Sequence, residues 1–210
     1  MHSLLLEPAP PLALPRAAAS SWRDELPVLA NGDVTVRELR TSDADSLFAL
    51  LTTTDVTRLI SAPPTRAEDF ERFIAWTRRQ RAAGGSICLG IVPRGEASAV
   101  GLIQVRARDA RWDVAEWGFA VGSPFWGTGL FMAAAKAALG FTFGTLGVTR
   151  LEARSAVNNG RGIGVLRKLG GVEEAVLRRS LRLRDEHVDQ ALLTLFSGAK
   201  ARRASRECAS

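Results

Sequence analysis

The chain has 210 residues, of which 46% are hydrophobic and 24% are charged. These proportions are typical of one globular domain and exclude a disordered protein. The formal net charge is +6. The two cysteines, Cys88 and Cys208, lie far apart, and the chain has only two histidines. The sequence therefore predicts neither a disulfide framework nor a metal site.

Residues 1–32 are rich in proline and alanine and show no sustained periodicity, so we interpret them as an extension outside the folded core. Their start only weakly resembles a secretory signal. No lysine or arginine precedes the apolar part, and Glu7 and several prolines interrupt it. No later run is long and uncharged enough to span a bilayer, so we expect no membrane partner. The lack of a disulfide framework makes a reducing cytoplasm the expected compartment.

From residue 33 onward, the pattern predicts one strand, two helices, three strands, a helix, a strand, a helix and two strands. Alternating or continuously apolar runs predict strands at residues 34–40, 86–92, 99–106, 115–121, 148–156, 172–183 and 187–196. Capping residues and helix-forming runs predict helices at residues 44–51, 65–83, 130–139 and 164–168, with turns at residues 93–96, 109–113 and 184–186. Residues 198–210 form a basic tail that we expect to be disordered.

The most informative stretch, Ser123–Leu130, joins a strand-like run to a helix-like run and contains Gly127 and Gly129. Glycines in such a turn let the backbone approach a ligand, and the first N–H groups of the helix lack intrahelical partners. The turn therefore predicts an anion site. The phosphate loop of nucleoside triphosphatases is excluded because no Lys-Ser or Lys-Thr follows. The dinucleotide fingerprint is excluded because Met132 stands where a third small residue is required.

The turn resembles the pyrophosphate-binding turn of the GCN5-related N-acetyltransferases (GNAT), whose pattern is Gln/Arg-x-x-Gly-x-Gly/Ala at the start of a helix. Gly127 and Gly129 match that pattern, and Pro124 departs from it. Further stretches are similar, in the same order, to the ribosomal-protein N-terminal acetyltransferase (RimJ/RimL-like) branch. These stretches are Glu116-Trp117-Gly118-Phe119, Asn159-Gly160-Arg161-Gly162, Arg167-Lys168-Leu169-Gly170-Gly171 and His187-Val188-Asp189.

The resemblance implies an α/β fold over residues 33–197, with a mixed, mostly antiparallel sheet of six to seven strands that separates in the middle and about four helices. It also implies transfer of an acetyl group from acetyl-CoA to a primary amine. The main chain near residues 119–121 would stabilise the oxyanion. The cofactor-binding residues implied by the resemblance are Phe119, Ala120, Val121, Trp126, Gly127, Thr128, Gly129, Leu130, Asn159, Arg161 and Lys168.

Attack on a thioester requires an uncharged amine, and alkyl ammonium groups have pKa values of about 10, so a proton must be removed. Glu116 is the first candidate for the catalytic base, directly or through a water, because it lies on a central strand beside the glycine turn. The alternative is that Glu116 only pairs with an arginine. Asp189 is a weaker candidate, and Asp109 and Asp113 are interpreted as turn residues.

The leaving thiol has no obvious acid, because the chain contains no tyrosine and Gly162 stands where the branch carries a serine. A thiolate with a pKa of about 8.5 is a tolerable leaving group without an acid. Ser155 or a water could replace the missing group. A catalytically degenerate CoA-binding regulatory protein also remains open.

The favoured acceptor is a protein or peptide N-terminus, and the alternative is a small-molecule amine. We expect the acceptor region to be formed by the first two predicted helices and the loops around Asp109 and Glu186. A polyamine or aminoglycoside would be expected to recruit clustered carboxylates, whereas those of this region are scattered, at Glu68, Asp69, Asp109 and Glu186. Nucleic-acid binding through the basic tail is least favoured, because its positive residues lack interleaved aromatic residues. We expect a monomer or a homodimer.

Overall fold

A computed structural model describes residues 21–60, 64–183 and 186–198. Within these residues the chain forms one sheet of eight strands in the order β1-β2-β3-β4-β5-β6-β8-β7. The strands are β1 Leu29–Asn31, β2 Val34–Glu38, β3 Ser86–Pro93, β4 Gly101–Ala107, β5 Val114–Val121, β6 Arg150–Ala156, β7 Val172–Leu183 and β8 Glu186–Phe196. The helices are α1 Ala44–Leu51, α2 Thr54–Thr57, α3 Ala67–Ala82, α4 Leu130–Gly144 and α5 Gly160–Lys168.

The centre of the sheet is divided. Neighbouring strands are antiparallel except β5 and β6, which run parallel because α4 carries the chain across the sheet between them. Their pairing ends at Trp117 and Ala153, although β5 continues to Val121 and β6 continues to Ala156. The two strands therefore separate toward their C-terminal ends and leave a cleft between them.

Both faces of the sheet are covered. Alternation along β5 places Trp117 and Val121 in the core that α4 and α5 cover, and it places Ala120 in the core that α1 and α3 cover. The buried face of α4 carries small side chains, which let the helix lie close to the strands: Ala134, Ala135 and Ala138.

A buried carboxylate anchors the start of α1. Asp43 is fully buried and accepts hydrogen bonds from the Arg37 guanidinium at 2.8 and 2.9 Å, from the Arg40 N–H at 2.7 Å and from the Ala99 N–H at 2.9 Å. Burial alone would raise the pKa of Asp43, but these hydrogen bonds and the Arg37 charge hold that pKa below its usual value. The Asp43 carboxylate therefore ties β2, α1 and the segment before β4 together.

The N-terminal boundary predicted from the sequence is wrong for residues 21–32. Trp22 and Leu26 are buried, and Trp22 packs edge-on against Trp112 with ring centroids 5.3 Å apart. β1 pairs with β2, and the side chain of Asn31 donates a hydrogen bond to the carbonyl of Ala133 in α4 at 3.0 Å. A strand of three residues is too short to show periodicity, which is why its sequence gave no strand signal.

The mixed, mostly antiparallel and divided sheet expected from the sequence is confirmed, with β1 and α2 added to the predicted elements. The Asp69 carboxylate caps the start of α3, because it accepts from the Thr65 and Arg66 N–H groups, each at 3.2 Å. The signal-like residues 1–20, the tail from residue 199 and part of the predicted turn at 184–186 lie outside the described residues. Among the described helices, none has both the length and the apolar character needed to cross a membrane.

Candidate active site

A pocket of about 460 Å³ lies where β5 separates from β6. Three segments line it: the end of β5 with the following turn and the start of α4, the start and one face of α5, and α2 with the residues after it. The first segment contributes Phe119, Ala120, Val121, Phe125, Trp126, Gly127, Gly129, Phe131 and Met132. The second contributes Asn159, Gly160, Arg161, Gly162, Gly164, Val165 and Lys168, and the third contributes Val56, Leu59 and Ile60.

The glycine turn has the backbone that the sequence pattern predicted. Gly127 and Gly129 have φ angles of 77° and 86°, in the left-handed region that favours glycine. A Cβ atom at either position would meet no other atom within 4 Å, so backbone conformation rather than packing requires these glycines. The Thr128 hydroxyl donates to the Phe125 carbonyl at 2.8 Å and accepts from the Leu130 N–H at 3.3 Å, which closes the turn at the start of α4.

Trp126 contacts two of the segments that line the pocket, β5 and α5. Its indole N–H donates a hydrogen bond to the Val121 carbonyl at the end of β5, at 2.8 Å. The Arg161 guanidinium lies 4.6 Å from the centroid of the Trp126 ring, within the range of a cation–π contact. Trp126 therefore positions the glycine turn relative to both β5 and α5.

The start of α5 is capped by Asn159, whose side-chain carbonyl accepts a hydrogen bond from the Gly162 N–H at 2.9 Å. This contact fixes the Asn159 side chain at the wall of the pocket. Arg161 and Lys168 add two cations to the same wall, as expected for a site that holds phosphate groups.

The structure brings together all the cofactor-binding residues expected from the sequence except Thr128 and Leu130, whose polar groups close the turn instead. Sequence reasoning missed the contributions of Val56, Leu59 and Ile60. These apolar side chains carry no charge or motif. Val56 lies on α2, a helix of only four residues, and Leu59 and Ile60 lie just after it.

Glu116 lies on β5 with its side chain buried, and only 4% of the residue is exposed. One carboxylate oxygen accepts from Arg106 at 3.0 Å and from Arg108 at 3.4 Å, and the other accepts from Arg154 at 3.3 Å. Glu116 is not among the residues that line the described pocket. Glu116 thus pairs with arginines, as the alternative interpretation states. The role of Glu116 as a catalytic base stays a prediction.

The other ionisable candidates have structural partners. The Asp189 carboxylate accepts from the Arg179 N–H at 2.8 Å, at an irregularity in β7. The Asp109 carboxylate accepts from the backbone N–H groups of Arg111, Asp113 and Val114, which confirms the predicted turn.

Cys88 is a free, buried cysteine on β3. Burial, with the charge of Glu38, raises the pKa of its thiol far above the usual range. A thiol that stays protonated and buried is a poor nucleophile. Cys88 therefore offers no support for a covalent acetyl-cysteine route.

An open sheet whose two central parallel strands separate beside a helix-opening glycine turn is the arrangement of a CoA-dependent acyltransferase. The sequence model of the family described as "Acetyltransferase (GNAT) domain" matches residues 33–172. The chain therefore belongs to the GNAT acetyltransferase family. Its activity is acetyl-CoA-dependent N-acetyl transfer, with acetyl-CoA as the donor.

Solved structures support the same fold. A probable acetyltransferase is 26% identical over 80% of this chain and 96% of its own, with a TM-score of 0.73. The ribosomal-protein-S5-alanine acetyltransferase from Vibrio fischeri is 15% identical over 81% and 97%, with a TM-score of 0.74. The microcin C7 self immunity acetyltransferase MccE, solved with acetyl-CoA and AMP, is 19% identical over 80% and 94%, with a TM-score of 0.71. Among curated proteins, no significant sequence match is found.

Proposed function

We propose that the protein transfers the acetyl group of acetyl-CoA to the amino terminus of a protein or peptide. The observation that carries the proposal is one pocket that extends from the glycine turn of α4 and the cations of α5 to the apolar residues after α2. Such a pocket can hold a phosphate-bearing donor at one end and an acceptor at the other. We also propose a cytoplasmic location, in keeping with the free thiol of Cys88.

The donor's phosphates would lie at the glycine turn, where the first N–H groups of α4 lack intrahelical acceptors. Arg161 and Lys168 would neutralise phosphate charge from the α5 side. The thioester would then enter the cleft between β5 and β6, beside the last residues of β5. There the backbone N–H groups near residues 119–121 would donate hydrogen bonds to the carbonyl oxygen.

The reaction that fits this arrangement is direct attack by the amine. The amine nitrogen bonds to the acetyl carbon, the C–S bond breaks, and its electron pair stays on the sulfur of CoA. Glu116 would take the proton from the amine, directly or through a water, from the face of β5 opposite Trp117. The buried state of Cys88 supports a route without a covalent enzyme intermediate.

The charges around the expected acceptor region support an acceptor with one reactive amine. The Asp69 carboxylate is used by the start of α3 and an ion pair with Arg72, and the Asp109 carboxylate is used by its own turn. Glu68 and Glu186 are exposed and come from different elements. A polyamine or aminoglycoside would therefore find no cluster of uncommitted carboxylates among these described residues.

A thiol-release assay with acetyl-CoA and a panel of acceptors tests the proposal. The panel should contain N-terminal peptides, free amino acids, polyamines and aminoglycosides. We expect turnover on at least some peptides and none on the cationic small molecules. Turnover on polyamines or aminoglycosides without turnover on any peptide would refute the proposed acceptor class.

Two alternatives rest on specific observations. A small-molecule amine acceptor is favoured by the similarity to MccE, whose structure was solved in complex with acetyl-CoA and AMP. A regulatory CoA-binding protein without turnover is favoured by the absence of tyrosine from the chain and by Gly162. CoA binding without release of thiol on any member of the panel would favour the second alternative.

A further inference from the structure

β7 lies at one edge of the sheet, so one side of its backbone is open to another strand. It has 12 residues, and among the described strands it pairs with β8 alone. β1, at the opposite edge, has three residues. A long open edge is a template for strand addition, and proteins that stay monomeric usually shorten, charge or cover it. β7 is therefore the edge that is long enough to extend the sheet.

The middle of β7 exposes an apolar side chain and carries no charge. Ala175, Val176 and Leu177 keep a regular register with β8 between two irregularities of the ladder. Val176 is 51% exposed, and Val172 at the start of the strand is 55% exposed. β-Branched side chains on an open edge gain packing when a second strand covers them. This segment thus offers a short, uncharged stretch to a partner strand.

Charges of opposite sign flank this apolar segment. Glu173 and Glu174 precede it, and Arg178 and Arg179 follow it. Each glutamate pairs with an arginine of its own chain, but 35% and 31% of their side chains stay exposed, and a carboxylate can accept further hydrogen bonds. Arg178 and Arg179 are exposed, and neither forms an ion pair with another residue that the structure describes. The strand therefore has an acidic end and a basic end.

A second copy of the chain complements this charge order when its β7 runs antiparallel. In a two-fold pair centred on Val176, Glu174 lies opposite the partner's Arg178, and Glu173 lies opposite the partner's Arg179. An in-register parallel pair would place like charges side by side, which is destabilising. Arg179 has a φ angle of 49°, outside the extended region. Main-chain pairing would therefore end at Arg178, and the contact of Arg179 would be made by its side chain alone.

We propose that the protein forms a homodimer in which β7 pairs antiparallel with β7 of a second copy. Assembly stops at two copies, because a two-fold interface uses the same edge of both and β1 is too short to add further molecules. The irregularities on either side of Val176 keep the ladder short, so we expect a dissociation constant of about 1–100 μM. β7 contributes no residue to the described pocket, so the dimer is independent of the proposed function.

Sedimentation of the full chain from about 1 μM to about 200 μM tests the dimer. The mass should rise from 22.6 kDa toward twice that value. Val176→Asp should prevent the rise, because each copy would place a carboxylate against its own equivalent at the centre of the interface. Val28→Asp is the matched control, because Val28 is 66% exposed but precedes β1 at the opposite edge. This control should dimerise like the unmodified protein.

Exchange of charges identifies the interface and its direction. Arg178→Glu with Arg179→Glu makes both ends of β7 acidic, and Glu173→Lys with Glu174→Lys makes both ends basic. Each variant should self-associate at least about 10-fold more weakly than the unmodified protein, because like charges then meet across the two-fold axis. An equal mixture of the two variants restores opposite charges at both ends and should form dimers again. Mixing would not repair damage to the fold of either variant.

A native chain that keeps a mass of 22.6 kDa over the whole range would refute the dimer. A dimer that persists in Val176→Asp, or that the Arg178→Glu, Arg179→Glu variant forms with unchanged affinity, would use another surface and overturn the pairing. Two folded charge variants that stay monomeric when mixed would overturn the antiparallel direction. Melting temperatures identify a variant that does not fold. If the Glu173→Lys, Glu174→Lys variant fails in this way, the other two variants still decide the result.

Discussion

At the scale of single residues, the carboxylate of Glu116 sits at the point where the sheet divides. Its partners Arg106 and Arg154 come from the neighbouring strands β4 and β6, and Arg108 follows β4. Two carboxylate oxygens that accept from three guanidinium groups still have capacity for one further hydrogen bond. Glu116 can therefore hold the central strands together and also contact a water or an amine.

Replacing Glu116 with glutamine separates these two roles. Glu116→Gln removes the buried anion that Arg106, Arg108 and Arg154 share, so we expect a loss of about 3 kcal/mol or more in the free energy of unfolding. If Glu116 is also the base, kcat at neutral pH should fall by about 100-fold or more and recover partly at alkaline pH, where the amine is already uncharged. The measurements are denaturant unfolding and a pH–rate profile.

The control for Glu116→Gln is Glu152→Gln. Glu152 lies directly opposite Glu116 on β6 and forms ion pairs with Arg150 and Arg154. The Glu152→Gln variant should be less stable than the unmodified protein, with no change in the shape of its pH–rate profile. If Glu116→Gln behaves in the same way, Glu116 is a structural residue and the base must be sought elsewhere.

Gly129 offers a second test at this scale. Its φ angle of 86° makes any other residue unfavourable by about 1–2 kcal/mol, whether or not a ligand is present. Gly95 has the same φ of 86° and also has open space around it, but it lies in the turn between β3 and β4. Gly129→Ala and Gly95→Ala should therefore lose similar stability.

Only Gly129→Ala should weaken CoA binding, because only there does the added methyl group enter the space that the cofactor's phosphates would occupy. Calorimetry with CoA on the two folded variants measures the difference. Equal affinities in Gly129→Ala, Gly95→Ala and the unmodified protein would place the cofactor away from this turn.

At the scale of elements, strands and helices with a continuous pattern could be predicted, and short or glycine-rich ones could not. α1 begins and ends at the predicted residues, because its capping region and apolar spacing agree. β1 and α2 have three and four residues, too few for a periodic signal. α5 begins at Gly160 rather than Gly164, because tertiary packing and the Asn159 cap outweigh the low helix propensity of glycine.

Gly101 shows how β4 and β5 are kept in register beside the cleft. A Cβ atom at this position would stand 2.5 Å from the Ala120 carbonyl oxygen and 2.9 Å from the Val121 Cα. Gly101→Ala should therefore lower the free energy of unfolding by about 1–3 kcal/mol, since backbone must move. It should also weaken CoA binding, because Ala120 and Val121 line the pocket.

Gly140→Ala is the matched control for Gly101→Ala. Gly140 lies inside α4, and a Cβ atom there would meet no other atom within 4 Å. The substitution should raise stability by about 0.5–1 kcal/mol, because glycine is unfavourable inside a helix. Denaturant unfolding and calorimetry measure both changes, and a Gly101→Ala protein as stable as the unmodified one would show that β4 and β5 can shift apart freely.

At the scale of the whole molecule, the sequence could predict those parts of the site that lie within one local stretch. The glycine turn and the stretch Asn159–Gly162 each resemble a short motif of the family, so their pocket residues could be named from the sequence, although the start of α5 at Gly160 could not. The contact of Arg161 with Trp126 and the approach of Ser155 to Gly162 depend on how separate segments pack. Sequence spacing alone does not fix these distances.

The fold as a whole should respond to acid through Asp43, which connects β2, α1 and the segment before β4. Its pKa is lowered in the folded protein, so its stabilising effect is fully present above the ordinary pKa of an aspartate, about 4. As the pH falls through the lowered folded pKa, the carboxylate is protonated and this contribution is lost. Asp43→Asn should therefore cost about 3–5 kcal/mol at pH 7, and the difference should shrink steadily below about pH 4.

The matched control for Asp43→Asn is Asp33→Asn, which removes an aspartate whose ion pair with Arg94 is largely exposed. It should change the free energy of unfolding by less than about 1 kcal/mol at pH 7. Denaturant unfolding of both variants from pH 7 to pH 2 measures the two effects side by side. If the loss in Asp43→Asn stayed the same across this range, its origin would be packing or hydrogen-bond geometry rather than the buried charge. The lowered pKa would then contribute nothing to the acid sensitivity of the fold.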